Sequence, residues 1–230
     1  MEIKQNYSTD ASALTLWVIV CALFVLSGPA ACGASARQQL GQFKEQTDVG
    51  VTPKAGSASY DAARHEYTVT GGGENMWADK DAFHFVWRRW KGDVTLTADI
   101  AITTTSGSPH RKAALMIRQG LGPGDAYADA ALHGVGLTAL QYRQKEGATT
   151  LEAISPVSSP QSLRLERRGN TFTLFVAGAD GQFKKVGSAT VELHDPVYVG
   201  LAVCAHDANA LTTAAFRNVK ISKTAQDESN

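Results

Sequence analysis

The chain is short of the residues on which several common chemistries depend. Only three cysteines occur in 230 residues: Cys21 lies in an apolar run, Cys32 among small residues behind it, and Cys204 alone stands in the body of the chain. They complete neither a disulfide framework nor a zinc pattern. The histidines, at 65, 84, 110, 133, 194 and 206, show no H-x-x-x-H spacing, so the sequence points to no metal and no cofactor. Neither sign of charge predominates, with 22 Lys and Arg against 22 Asp and Glu, which removes the electrostatic basis for binding nucleic acid. Catalytic signatures are missing too. There is no G-x-S-x-G elbow, glycines 71 to 73 lack the lysine of a phosphate loop, and Glu152, Glu166 and Glu192 each lack a second acid at alternate strand positions.

Long apolar runs are equally scarce, with one exception. Ala13 to Leu26 is uncharged and apolar, the length of a signal-peptide core and shorter than the roughly 20 residues that span a bilayer. Gly28 and Pro29 break it, and Ala34 and Ala36 then fit an A-x-A cleavage site before Arg37. Residues 1–36 are therefore expected to be a signal peptide, and the mature chain to be exported to the periplasm or the extracellular space. A second processing route also fits: Ala30 and Ala31 precede Cys32, a position for lipid anchoring, although Pro29 stands where that signal usually has an aliphatic residue. An uncleaved anchor is the third reading, since Lys4 is opposed by Glu2 and Asp10. Removing the leader leaves one thiol, Cys204, so stability must come from core burial.

Residues 37–55 are polar and without clear period, an extended lead-in in which Gln38 to Gln46 suggests a short helix. From Gly56 the pattern changes to short runs of Val, Ile, Thr, Phe and Tyr punctuated by Gly, Pro, Asn and Asp. The clearest is "DVTLTADIAITT", where Val94, Leu96, Ala98, Ile100 and Ile102 share one face while Thr95, Thr97, Asp99 and Thr103 take the other. Similar runs recur as "HEYTVT", "DAFHFVWRRW", "KAALMIRQ", "AYADAALHG", "LTALQYRQ", "QSLRLERRG", "NTFTLFVAG", "PVYVGLAVCAH" and "AAFRNVKIS". So many short strands need two packed layers, because a single open sheet leaves a face uncovered. The expectation is an all-β chain, a two-sheet antiparallel β-sandwich or jelly roll over residues 56–222, with a disordered tail at 223–230.

The blocks "DAFHFVWRRWKGDVTLTADI", "HRKAALMIRQGLGPGDAYADAALHGVGLTALQYR" and "PVYVGLAVCAHD" with "AAFRNVKIS" resemble the concanavalin A-like lectin/glucanase sandwich domains, in particular those appended to bacterial TolB-like propeller proteins. The resemblance spans about Gly56 to Ser222 and implies the sandwich fold. It implies no single activity, because that superfamily holds sugar binders, glycosidases and domains of other roles. Its glucanases carry Glu, Asp and Glu on alternate positions of one strand, and no strand here does.

Candidate site residues follow from where large and charged side chains fall. Phe83, Phe85 and Trp87 share a face, as a sheet core requires. Trp77 and Trp90 lie near glycines at strand edges, where an indole offers a flat apolar face to a sugar ring. Arg118 ends the apolar run Ala113 to Ile117; buried there, it needs a partner or a ligand. Tyr142 is placed on the same ligand-facing side, with Gln141 and Arg143 opposite. Asn75, Asp79 and Asp81 offer oxygen ligands for calcium, but a polar turn accounts for them more simply. The sequence thus points to an exported, non-catalytic carbohydrate-binding domain with Trp77, Arg118, His133 and Tyr142 as its ligand-binding residues and a glycan as partner. The alternatives are an envelope protein-interaction or scaffolding domain, and a glycoside hydrolase whose acid pair would show as two carboxylates roughly 5–10 Å apart.

Overall fold

The computed structural model describes residues 39–225. The expected signal peptide, Cys32 and its lipid site, and residues 226–230 lie outside the described residues. What is described is all β, and no helix among these residues is long and apolar enough to cross a membrane.

Two antiparallel sheets of seven strands face each other. The first runs in the order β1 (Glu45–Val49), β6 (Phe83–Trp90), β15 (Val197–Cys204), β8 (Lys112–Arg118), β9 (Tyr127–His133), β10 (Thr138–Arg143) and β11 (Leu151–Ile154). The second runs β14 (Lys184–Thr190), β13 (Thr171–Ala177), β12 (Ser162–Arg168), β7 (Val94–Ile102), β16 (Thr212–Ser222), β3 (Glu66–Gly71) and β2 (Ser57–Asp61). A small hairpin, β4 (Met76–Trp77) with β5 (Lys80–Asp81), stands apart. All ten strands expected from the sequence are present.

The core between the sheets comes from alternation. In β7, Val94, Leu96 and Ala98 are wholly buried while Thr95, Thr97 and Asp99 are half-buried on the other face. Leu115, Leu165, Phe172, Leu201 and Phe216 join this cluster, and each such side chain contributes about 1.5–3 kcal/mol of burial. β8 and β9 are different: every residue in them is buried. A second cluster explains this, with Phe83, Phe85, Met116, Tyr127 and Cys204 packed on the outer face of the first sheet with Met76 of the hairpin. The tryptophan- and phenylalanine-rich segment is therefore core for Phe83 and Phe85, while Trp87 is half-buried beside it.

Two expectations are corrected. Residues 39–44 form no helix; they turn, and Glu45–Val49 continues as edge strand β1. Leu40 and Phe43 enter the inter-sheet core, and the buried His84 ring bonds Asp48 (Nδ1 to Oδ1, 2.8 Å) and Gln46 (Nε2 to Oε1, 3.0 Å), so the polar lead-in is part of the sandwich. At the other end Thr224 is buried, its hydroxyl donating to the Arg167 carbonyl at 3.2 Å, so packing extends past Ser222.

Gly200 in β15 shows how tightly the first sheet is built. A Cβ there would lie 2.1 Å from the Val86 carbonyl oxygen and 2.7 Å from the Phe85 ring. Gly200→Ala is expected to cost about 2–3 kcal/mol in chemical denaturation, as overpacking does. A change below about 0.5 kcal/mol would contradict this packing.

Candidate functional site

The strands β8, β9 and β10 sort their side chains strictly. Ala113, Leu115, Ile117, Ala128, Ala130, Leu132 and Leu140 point between the sheets. The residues between them, Lys112, Arg118, Asp129, His133, Gln141 and Arg143, take the outer face. All six are buried, a dense polar set for the face of a sheet, where buried charge is costly unless it is paired.

One part of the set is structural. Asp81, at the end of the hairpin, receives Arg143 in a two-pronged bond (Nη2 to Oδ1, 2.7 Å; Nη1 to Oδ2, 2.8 Å) and Arg118 through Nη2 at 3.3 Å. None of the three side chains reaches solvent. Burial pushes the Asp81 carboxyl up from its usual range, against the pull of both arginines. Arg143 also donates to the carbonyls of Ala78 (Nη2, 3.1 Å), Ala148 (Nε, 3.0 Å) and Asp125 (Nη1, 3.1 Å), and Arg118 to that of Gly122 (Nη2, 2.6 Å). The ion triad thus ties the hairpin and two loops to the sheet. It fixes the hairpin turn, in which Ala78 holds a left-handed φ of 51°, and so fixes Trp77, whose carbonyl lies 3.4 Å from Arg143 Nη2.

Beside the triad lies a cleft of about 240 Å³. Trp77 forms one wall, half-exposed, with the Lys112 ammonium 5.4 Å from its ring centre. Lys112 donates to Met76 O at 2.9 Å and to Asn75 Oδ1 at 3.1 Å. His133 also lines the cleft, 5% exposed, with Nδ1 unpartnered; burial first, then Lys112, His110 and His206, push its pKa down to about 3. Gln141 donates to Glu152 Oε2 at 3.2 Å, while its own Oε1 has no partner. His110 and His206 close the rim, their rings 5.5 Å apart, and His110 is 5.9 Å from His133. A neighbouring cavity of about 530 Å³ shares Asn75, Trp77 and His206 and continues past Glu74 to the exposed Val51.

Under the cleft floor, between Met116 and Gln141 on the flanking strands, sits Asp129. It is fully buried and neither oxygen has a hydrogen-bond partner. Burial holds its pKa well above the carboxylate range, opposed by Lys112. A buried carboxylate without donors is the costlier state, so the site favours the protonated acid.

Of the four residues expected to bind ligand, the structure brings two together, Trp77 and His133, in this cleft. Arg118 is occupied in the buried ion triad. Tyr142 packs against the inter-sheet core, and Gln141 and Arg143, assigned to the opposite side from the ligand, occupy the outer face instead. The reversal was readable: Leu140, an inward core residue, is two positions from Tyr142 and shares its side of the strand. Lys112, Glu152 and His206 carried no sequence signal for this cleft, and Asn75 drew notice only as an oxygen ligand for calcium, since they meet only through strand pairing and the hairpin. The three oxygen residues considered for calcium separate. Asp81 binds arginines, Asn75 binds Lys112, and no group of three or more His, Cys, Asp or Glu among the described residues is arranged to hold a metal ion.

Strand order and the facing pair of seven-stranded sheets decide the architecture. The fold is a concanavalin A-like jelly-roll sandwich. No family model and no curated protein matches the sequence. Solved structures similar in fold include a functionally unknown protein from Saccharomyces cerevisiae, 14% identical with a TM-score of 0.60 over 79% of this chain and 97% of that one. Another is the carbohydrate binding module CBM66 from Bacillus subtilis, 17% identical with a TM-score of 0.50 over 79% of this chain and 98% of that one. A third is the Bacteroides ovatus xyloglucan PUL GH43B, 14% identical with a TM-score of 0.50, which matches 82% of this chain but only 38% of its own length. At these identities the likeness is one of fold.

Proposed function

We propose that the Trp77 cleft binds a glycan, in a domain that is exported and does not cleave what it binds. One observation carries the reading: a half-exposed indole faces buried polar atoms, His133 Nδ1 and Gln141 Oε1, that have no protein partner. A sugar matches both halves, with an apolar ring face for the indole and hydroxyls that donate and accept. The fold likeness to a carbohydrate binding module agrees with this. Glu152 is the one carboxylate in the cleft lining, and Asp129 is sealed beneath it, whereas hydrolysis by a carboxylate pair needs two acids facing the scissile bond. Export rests on the apolar Ala13 to Leu26 run and the small residues behind it. The reading needs no propeller partner.

Isothermal titration against bacterial and plant cell-wall oligosaccharides tests it. The expected result is binding by at least one, weakened tenfold or more (about 1.4 kcal/mol) by Trp77→Ala, with thermal stability nearly unchanged because Trp77 is half-exposed. Absence of heat throughout, or undiminished affinity in the variant, would sink it.

A second reading has its own observation. Leu151 and Ile154, 46% and 57% exposed, lie on edge strand β11, an arrangement that suits strand addition by a protein partner. Such a partner would be displaced by Ile154→Lys and untouched by Trp77→Ala.

A further inference from the structure

We infer that the cleft selects acidic sugars: an oxyanion on the glycan, carboxylate or sulfate, seats between Lys112 and His133 while the sugar ring lies against Trp77. The inference rests on the glycan-binding reading and narrows it to a ligand class.

Lys112 and the imidazoles of His110, His133 and His206 line the cleft, against one carboxylate, Glu152. The groups facing His133 come from several elements. Lys112 pairs with it across β8 and β9, His110 and His206 stand on loops at the rim, Gln141 carries Glu152 from the far side, and Asp129 lies four residues along its own strand. Glu74 borders the adjoining cavity rather than this one. Asp129 is the carboxyl that would balance Lys112, but without a donor on either oxygen its charged form is disfavoured. Glu152 is thus the one carboxylate of the lining, held by Gln141 at 3.2 Å, and the Lys112 ammonium makes its hydrogen bonds to neutral oxygens, Met76 O and Asn75 Oδ1.

Donor positions agree. An ammonium has three protons, and Lys112 spends two of them on Met76 O and Asn75 Oδ1, leaving one for a ligand. His133 Nδ1 is buried and unpartnered. A neutral hydroxyl accepts from either group, but an oxyanion makes charge-assisted bonds, which are roughly twice as strong. It also offsets the burial and the Lys112 charge that hold the His133 and His206 pKa values down in the free protein. Binding an anion therefore raises those values and takes up protons, so affinity for an acidic sugar rises as pH falls.

The test compares trigalacturonate, a sulfated galactotriose and neutral galactotriose by titration calorimetry against the full chain at pH 7.5 and pH 5.5, with thermal melts confirming the folded state at both. The account predicts that at least one acidic sugar binds tenfold or more tighter than the neutral trisaccharide and gains severalfold at the lower pH; which one tells carboxylate from sulfate. Lys112→Met is expected to abolish the preference. If that buried substitution impairs folding, His206→Gln, at the half-exposed rim, is expected to flatten the pH dependence. Equal, pH-independent affinity for the neutral sugar overturns the acidic preference and leaves the glycan reading standing. If no sugar of any charge binds, here or in the wider panel, both fall.

Discussion

Asp81→Ala is expected to destabilise the domain by about 3–5 kcal/mol, the cost of leaving buried charge without its partner. Two guanidiniums depend on this carboxylate, and none of the three side chains has access to solvent. The substitution therefore leaves both guanidiniums without their charge partner where they have no solvent contact. Arg118 is the more exposed to the loss, because its Nε and Nη1 already lack partners and Gly122 O is its one other acceptor. Arg143 retains carbonyl acceptors from Trp77, Ala78, Pro123, Asp125 and Ala148 and should keep more of its order. Asp81→Asn, which preserves shape and one acceptor but not charge, should fall between wild type and Ala in urea denaturation. Because the triad holds the hairpin that carries Trp77, ligand binding should weaken in both variants in step with the hairpin's loosening. A loss below about 1 kcal/mol for Asp81→Ala would show that the hairpin is held by Met76 and its apolar neighbours instead.

The second large effect is on the response to acid. His133 has a folded pKa of about 3, against about 6.5 in an unfolded chain. Between those values the unfolded state binds the proton and the folded state refuses it, so this residue's contribution to stability is complete above about pH 6.5 and is lost as pH falls toward 3. From pH 7 to pH 4 the loss is on the order of 3 kcal/mol. Asp129 acts in the opposite direction. Its folded pKa is raised well above the usual value, so its burial is penalised at pH 7, and the penalty disappears as pH falls and the unfolded chain's carboxyl also takes up a proton. Wild type alone therefore shows a blunted profile. Comparison with His133→Gln isolates the histidine, since Asp129 is common to both. Wild type should lose about 3 kcal/mol more than the variant between pH 7 and pH 4 in denaturant titrations. Parallel curves would mean that the imidazole is solvated.

The sequence made the fold legible where one face of a strand is wet. β7 and β12 alternate, and their register could be read residue by residue. It was less informative where both faces are covered: β8 and β9 are buried throughout, and no alternation tells which side holds the cleft. The short edge strands β1, β11 and β14 escaped because edges are polar and carry few core residues. Among the site residues, Trp77 declared itself by its size beside a glycine-rich turn. Arg118 drew notice for a sound reason, a charge in an apolar run that needs a partner, but the partner is Asp81, brought in by the hairpin, rather than a ligand. Tyr142 was set on the wrong side by one residue of phase, which on a strand moves a side chain to the opposite face. Lys112 is separated in sequence from both Asn75 and Gln141, and no local pattern anticipates that they line one cleft.

The most direct test of the central claim uses the tryptophan indoles. Trp77 lines the cleft; Trp90 borders a separate cavity with Arg89, Lys91 and Pro196; and Trp87 is packed edge-on against Tyr198 at 4.9 Å. In a 15N-labelled sample titrated with cell-wall oligosaccharides, the account predicts that the Trp77 indole N–H resonance shifts with saturation while those of Trp87 and Trp90 hold still. A saturating shift at Trp90 with Trp77 unmoved, or no shift at any indole, would contradict it.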